Sequence, residues 1–298
     1  MKRSVTFLLI CLLTSACYRA QVKAPPVQNI PQPKQTLAQK KATLQEKKKS
    51  ASQMPEVLGG IVQSDEWIIY KEKEQEEFKG HVYYDNGQYV FKADYALSDR
   101  KQHSATARGN VYLKQKEHYA APTTYEAWGD YAFYNYKTGK GILKSTSKNQ
   151  ARLQLTDASQ TITATAKHIS FDTHTQLFIL TGNVHAQRTT QDGTQTVQAD
   201  KVTVKQLENY VRMDGNALLN DGQRTLQADT IIYDGEHNHS TAYGARPLAT
   251  GSTEQGTFAI IADTVTSDAQ GTVITLDGRV QGWVVSPELN NNKINQKF

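Results

Sequence analysis

The 298-residue chain has two cysteines, Cys11 and Cys17. Cys11 lies in an apolar N-terminal run of the kind that export removes. A mature chain starting at Cys17 then has no partner for a disulfide. Proline is scarce where the chain is longest: after Pro55 only Pro122, Pro247 and Pro287 occur. Strands tolerate few prolines, because proline cannot donate to a sheet ladder. The apolar run Val5–Leu13 is far too short to span a bilayer as a mature helix. No Gly-x-Ser-x-Gly elbow, Walker loop or convincing zinc spacing is present, so those catalytic and cofactor chemistries have no support in the sequence.

The N-terminal residues read MKRSVTFLLICLLTSAC. Lys2 and Arg3 precede the apolar run, and small Ser15 and Ala16 precede Cys17. Residues 1–16 are therefore expected to be a signal peptide. LTSAC resembles the lipobox of bacterial lipoproteins, with Leu13 one place further from the cysteine than usual. Cys17 is expected to carry the lipid, and an ordinary cleaved signal is the alternative. Residues 17–55 hold five of the eight prolines, and eight basic residues against Glu46 alone. This is the composition of a flexible tether, either a plain spacer or a segment drawn to anionic headgroups. The chain carries +5 overall. Setting aside Lys2, Arg3 and the tether's net seven positive charges leaves −4 for residues 56–298. A mildly acidic body gives no support for nucleic-acid binding.

What the body does contain is repetition. An apolar-x-Gly-x-apolar unit recurs around Gly80, Gly109, Gly182, Gly215 and Gly278. An Ala-Asp unit recurs at Ala93, Ala199, Ala228 and Ala262, with looser copies AWGDYAF and TAKHISF. The alanine spacings are 34, 39, 33, 29 and 34 residues. That period is too short for an independent domain and suits a stacked repeat. Around each glycine the apolar residues alternate, as in a half-buried strand. A glycine on the inward face leaves room for a close approach or marks a bend. At Ala-Asp the parity slips. Val197 and Ala199 give way to Val202 and Val204, and Leu226 and Ala228 to Ile231 and Tyr233. Both sets stay inward only if the chain bulges or turns a corner there. Asp-Gly and Asn-Gly clusters between units predict hairpins.

These units, LTGNVHAQ…VQADKVTV and MDGNALLN…LQADTIIY above all, resemble the OstA-like domain of the lipopolysaccharide transport proteins LptA and LptC and of the periplasmic part of LptD. The resemblance is tightest over 178–284 and looser over 76–175. It implies an all-β fold over residues 56–288: repeated antiparallel strand pairs forming an open, V-shaped β-jellyroll, followed by a disordered tail, 289–298. It also implies a non-enzymatic carrier that holds lipid A acyl chains in an apolar groove, and joins other OstA-like proteins by edge-to-edge β pairing. With the Cys17 anchor, the expected place is the periplasm, tied to the outer membrane.

By the same alignment the groove is lined by Phe178, Leu180, Val184, Val202, Val204, Val211, Met213, Ile231, Tyr233, Ile274, Leu276 and Val280. An ordinary dry core needs the same inward apolar faces, so the sequence leaves both open. Residues 114–150 depart from the family pattern. Their aromatics Tyr125, Trp128, Tyr131, Phe133, Tyr134 and Tyr136 suit either strand packing or a sugar-facing platform. His237 and His239 share a turn without a distant third ligand, so no metal or other cofactor is expected. Two other functions compete: an envelope module that uses its β edges without lipid cargo, and a β-solenoid acting on polysaccharide through paired carboxylates. Acids that recur once per repeat fit structure better than catalysis.

Overall fold

The computed structural model describes residues 60–87, 89–115, 124–146, 150–191, 193–237, 239–253, 256–268 and 273–285. The expected signal, Cys17, the tether and the tail 289–298 lie outside the described residues. Twenty strands form one antiparallel sheet. In chain order they are β1 (Ile61–Gln63), β2 (Glu66–Tyr70), β3 (Gln75–Asp85), β4 (Tyr89–Asp99), β5 (Ser104–Gln115), β6 (Thr124–Asn135), β7 (Lys140–Lys144), β8 (Ala151–Thr156), β9 (Gln160–Ala166) and β10 (His168–Asp172). Then follow β11 (Leu177–Thr190), β12 (Gly193–Lys205), β13 (Tyr210–Asn220), β14 (Arg224–Asp234), β15 (His239–Tyr243), β16 (Leu248–Thr253), β17 (Gly256–Ile261), β18 (Thr264–Asp268), β19 (Ile274–Asp277) and β20 (Gln281–Val285).

The long strands pair along their whole length, but each pairing is interrupted at one level. Between β11 and β12 the register runs to Thr181↔Lys201 and resumes at Val184↔Ala199. Two residues, Gly182 and Asn183, thus face Asp200 alone. The same break separates Lys79 from Val82 on β3, Arg108 from Val111 on β5 and Asp214 from Ala217 on β13. These bulges align into a crease that divides the sheet into two walls. Where the chain breaks at the crease, two short strands share one long partner: β1 and β2 on β3, β7 and β8 on β6, β9 and β10 on β11, β15 and β16 on β14.

Crossing the crease inverts the face that each residue presents, as the parity slip requires. Val197 and Ala199 are buried on one side, Val202 and Val204 on the other. The inner faces of both walls therefore stay apolar, and the core lies between them.

The outer rims of the walls are built differently. One wall ends in four-residue turns at 71–74, 100–103, 136–139, 173–176 and 206–209. Successive turns stack through backbone bonds: the N–H of Arg100 donates to Glu74 O, Tyr136 to His103 O, Thr173 to Gly139 O, Gln206 to Gln176 O and Gly235 to Asn209 O, at 2.9–3.1 Å. We call this the turn wall. The other ends in hairpins, and those after Asp85, Asp157 and Asn220 are capped by their own side chains. At 85–89, Asp85 accepts from Gly87 N at 2.8 Å and Asn86 from Tyr89 N at 2.7 Å. At 220–224, Asn220 accepts from Gly222 N and Asp221 from Arg224 N. This is the hairpin wall, and its turns follow the Asx-Gly chemistry expected of them.

Candidate functional site: a creased apolar interior

The crease joins the two repeated sequence units into one device. Gly80, Gly109, Gly182, Gly215 and Gly278 all have φ between +70° and +83°. The residue after each also has positive φ: His81, Asn110, Asn183, Asn216 and Arg279. An L-residue is strained there, and asparagine tolerates the conformation best after glycine. A Cβ on Gly215 would also strike the carboxylate of Asp200, fifteen residues earlier. The same offset links Asp65 to Gly80, Asp94 to Gly109 and Asp263 to Gly278.

The close approach that glycine permits is thus the aspartate of the preceding Ala-Asp position. The side chain after the glycine then bonds that acid. Asn110 Nδ2 donates to Asp94 at 2.9 Å, Asn216 Nδ2 to Asp200 at 3.0 Å and Arg279 to Asp263 at 2.8 Å, and His81 Nδ1 lies 2.7 Å from Asp65. The Arg279 hydrogen bond holds the Asp263 carboxyl below the usual range, and the Asp65 hydrogen bond raises His81 above its own. Asp130 serves the same crease with Ser145 and Thr146, bonding Ser145 Oγ at 2.8 Å and Thr146 N at 2.7 Å. One crease has no acid. Lys167 stands opposite Gly182, and Asn183 turns its side chain to His185 and its carbonyl to Gln150. These acids all have structural partners and do not converge on one site.

Beneath the crease lie the expected lining residues. Leu180, Val184, Val202, Val204 and Val211 are buried; Met213 is 1% exposed, and Ile231 and Tyr233 are sealed. Phe178 and Leu276 pack against this cluster and are partly buried. Ile274 and Val280 differ from the expected burial: they are 56% and 48% exposed. β19, which carries Ile274, is hydrogen-bonded only to β18 among the described residues, so no further strand covers that end. The repeat alanines Ala93, Ala199, Ala228 and Ala262 are all buried at the crease.

The aromatic stretch of β6 does not form one platform. Its residues alternate between faces, and Tyr136 sits in a turn. Trp128 and Tyr131 stand outside in cross-strand rungs with cations. Lys92 lies over Tyr83 and Tyr112 at 5.9 Å, Arg152 over Trp128 at 4.7 Å and Lys144 over Tyr131 at 5.8 Å. Burial pushes the Tyr112 hydroxyl up to about 12, with its hydrogen bond to Glu126 adding to the shift. Tyr134 faces inward and stacks on Phe171, with ring centroids 6.0 Å apart; Phe171 stacks on Phe178. His237 is held by Asp234 at 2.8 Å, and His239 lies 6.0 Å away, ring to ring. Among the described residues no three His, Cys, Asp or Glu side chains converge as metal ligands do.

Three features escaped the sequence reading. The fifteen-residue offset from Asp to Gly was visible and tied the two units together. The outer rungs required the register. The turn stack had no signal in residue type, since Glu74, His103 and Gln176 adopt the positive φ that Gly139 and Asn209 adopt.

The crystal structure of LptH, the LptA-homologous periplasmic component of the lipopolysaccharide transport device from Pseudomonas aeruginosa, is similar over 41% of this chain and 82% of LptH, with 18% identity and a TM-score of 0.33. No curated protein matches the chain. The model of the LptA/(LptD N-terminal domain) lipopolysaccharide transport proteins matches residues 61–210 and 184–239, which together exceed half the chain and take in the crease from Asp65 to Asp229. On that match, the chain belongs to the LptA/LptD N-terminal family of lipopolysaccharide transport proteins.

Proposed function

We propose that the protein is a non-enzymatic carrier of lipopolysaccharide in the periplasm, holding acyl chains between the two walls. The observation that carries this reading is the inner lining. The buried cluster is apolar along both sides of the crease, and the inward-facing charges Glu76 and Arg188 lie towards the rims, held by Arg100 and Gln160. Such an interior suits a hydrocarbon chain whose polar head stays outside. Acylation of Cys17 would tether the carrier to the outer membrane.

The two ends of the sheet support joining to other OstA-like chains. Ile61, Trp67 and Ile69 are exposed at one end, and Val273, Ile274, Val280, Trp283, Val284 and Val285 at the other. Open strand edges with exposed apolar side chains are templates for further strands. The same observation favours a second reading, an envelope module that assembles through these edges and binds no lipid. Lipid co-extracted with the purified full chain tests the choice. Stoichiometric lipopolysaccharide is expected; protein free of lipid from native membranes would favour the edge-only module. Cys17→Ser should release the protein from membranes, and mass spectrometry showing an unmodified mature N-terminus would end the anchoring reading.

A further inference from the structure

The interior is not uniform, and the difference locates a site. In the middle of the sheet the inner row of the turn wall is bulky and sealed: Leu180, Val202, Met213 and Ile231 pair across β11 to β14. Followed towards the N-terminal end, the row becomes small. Ala96 pairs with Ala107, and Ala107 with Ala132. The next row out runs Glu76, Ser98, Ala105 and Tyr134, of which Ala105 is exposed. Opposite, on the hairpin wall, the inner row reads Phe91, Leu113, Ala127.

Leu113 is 41% exposed. It is not at an edge, because β5 is hydrogen-bonded to β4 on one side and β6 on the other. Nor does it face outward: its cross-strand neighbours Phe91 and Ala127 pack on the core. A large apolar side chain on the inner face of an interior strand is thus left open. The row of small residues leads on to Phe78 and Trp67 at the open edge, whose rings lie 5.2 Å apart.

We propose that the acyl-chain site of this protein is the alanine-lined slot between β3 and β6, open at Leu113, and that the bulky middle of the interior is a closed core. The inference rests on the carrier reading and places its cargo. The occupant is a lipopolysaccharide acyl chain. The lining of Ala96, Ala105, Ala107, Ala132, Phe91 and Leu113 offers no charge, and the one acid in the adjoining row, Glu76, is paired with Arg100 at the turn rim, so the slot favours hydrocarbon over peptide or sugar. The slot also runs to an edge where a neighbouring jellyroll could continue it.

The test places a photo-reactive aromatic residue at Leu113, or at Phe178 in the middle, in the full chain in its own membranes. Crosslinks to lipopolysaccharide are expected from position 113, with loss of signal at 178. Ala96→Leu together with Ala105→Leu should abolish the crosslink at 113 while the melting temperature holds or rises, because the added methyl groups fill open space. Equal crosslinking at 113 and 178 would overturn the localisation and leave the carrier intact. Co-extracted lipopolysaccharide with no crosslink at 113 would do the same. Absence of lipid altogether would overturn both. A crosslink from 113 to the protein's own chain, or to phospholipid alone, would show that something else covers the slot.

Discussion

Two stretches of one sheet share a crease and differ in what they enclose. From β4 to β6 the turn wall presents Ala96, Ala107 and Ala132 to the interior; from β11 to β14 it presents Leu180, Val202, Met213 and Ile231. The crease is built alike in both, with Asp94, Gly109 and Asn110 in one and Asp200, Gly215 and Asn216 in the other. The shape of the backbone is therefore set by one repeated device, and the use of the interior by side-chain volume laid over it. On the proposed carrier reading, one stretch holds the molecule together and the other is left for cargo.

The largest expected effect separates the two stretches directly. Ile231→Ala or Met213→Ala should destabilise by about 2–5 kcal/mol, since each leaves a cavity in a sealed core. Leu113→Ala, with its side chain already part-exposed, should cost less than about 1 kcal/mol. Equal shifts in the denaturant midpoint would erase the distinction. The shared crease predicts the opposite outcome for glycine. Gly109→Ala and Gly215→Ala should each cost about 1–3 kcal/mol, from positive φ and collision with the facing aspartate, and should cost alike. A large difference between them would show that the device is not the same in both stretches. Ala228→Leu at the packed crease should overpack by about 1–3 kcal/mol, whereas Ala105→Leu in the slot should be near neutral by thermal melting.

The smallest effect is one of pH. The hydrogen bond to Asp65 raises His81, so the protonated ring's contribution is fully present below the unfolded histidine pKa and is lost as pH rises through the raised folded value. His81→Asn supplies the residue used at Asn110 and Asn216, and should keep the contact while removing its pH dependence. The measurement is the difference in melting temperature between parent and variant at acid and alkaline pH, with the His81 ring titration followed by NMR. A parent difference that survives the substitution would assign the dependence elsewhere.

Much of this architecture is legible in the sequence. The parity slip at Ala199 and Ala228 predicted a corner, and both alanines are buried there. Asn86-Gly87 and Asp221-Gly222 predicted hairpins, and both close through their own side chains. Those signals are local, and local chemistry fixes them. The contrast inside the groove was not legible in the same way. Ala107 and Met213 both lie on an inward face by alternation, and only the register reveals that Ala107 lies between two further alanines. The exposure of Ile274 and Val280 likewise depends on the strand that is not beside them, which alternation cannot report.

The stacked turns of one rim have a consequence for how the molecule tolerates change in length. Five consecutive turns of the turn wall have four residues each, and each must meet its neighbour through a backbone bond. An added residue in any of the four from 100–103 to 206–209 would break two contacts, one with the turn before and one with the turn after; in 71–74 it would break one. Among the described residues the hairpin wall carries one comparable bond, from Ser252 N to Gln223 O at 3.2 Å, and the turns after Asp85 and Asp157 close on their own side chains. Insertions, epitope tags and grafted loops therefore belong on the hairpin rim, at turns such as that after Asp157, which closes on its own side chain.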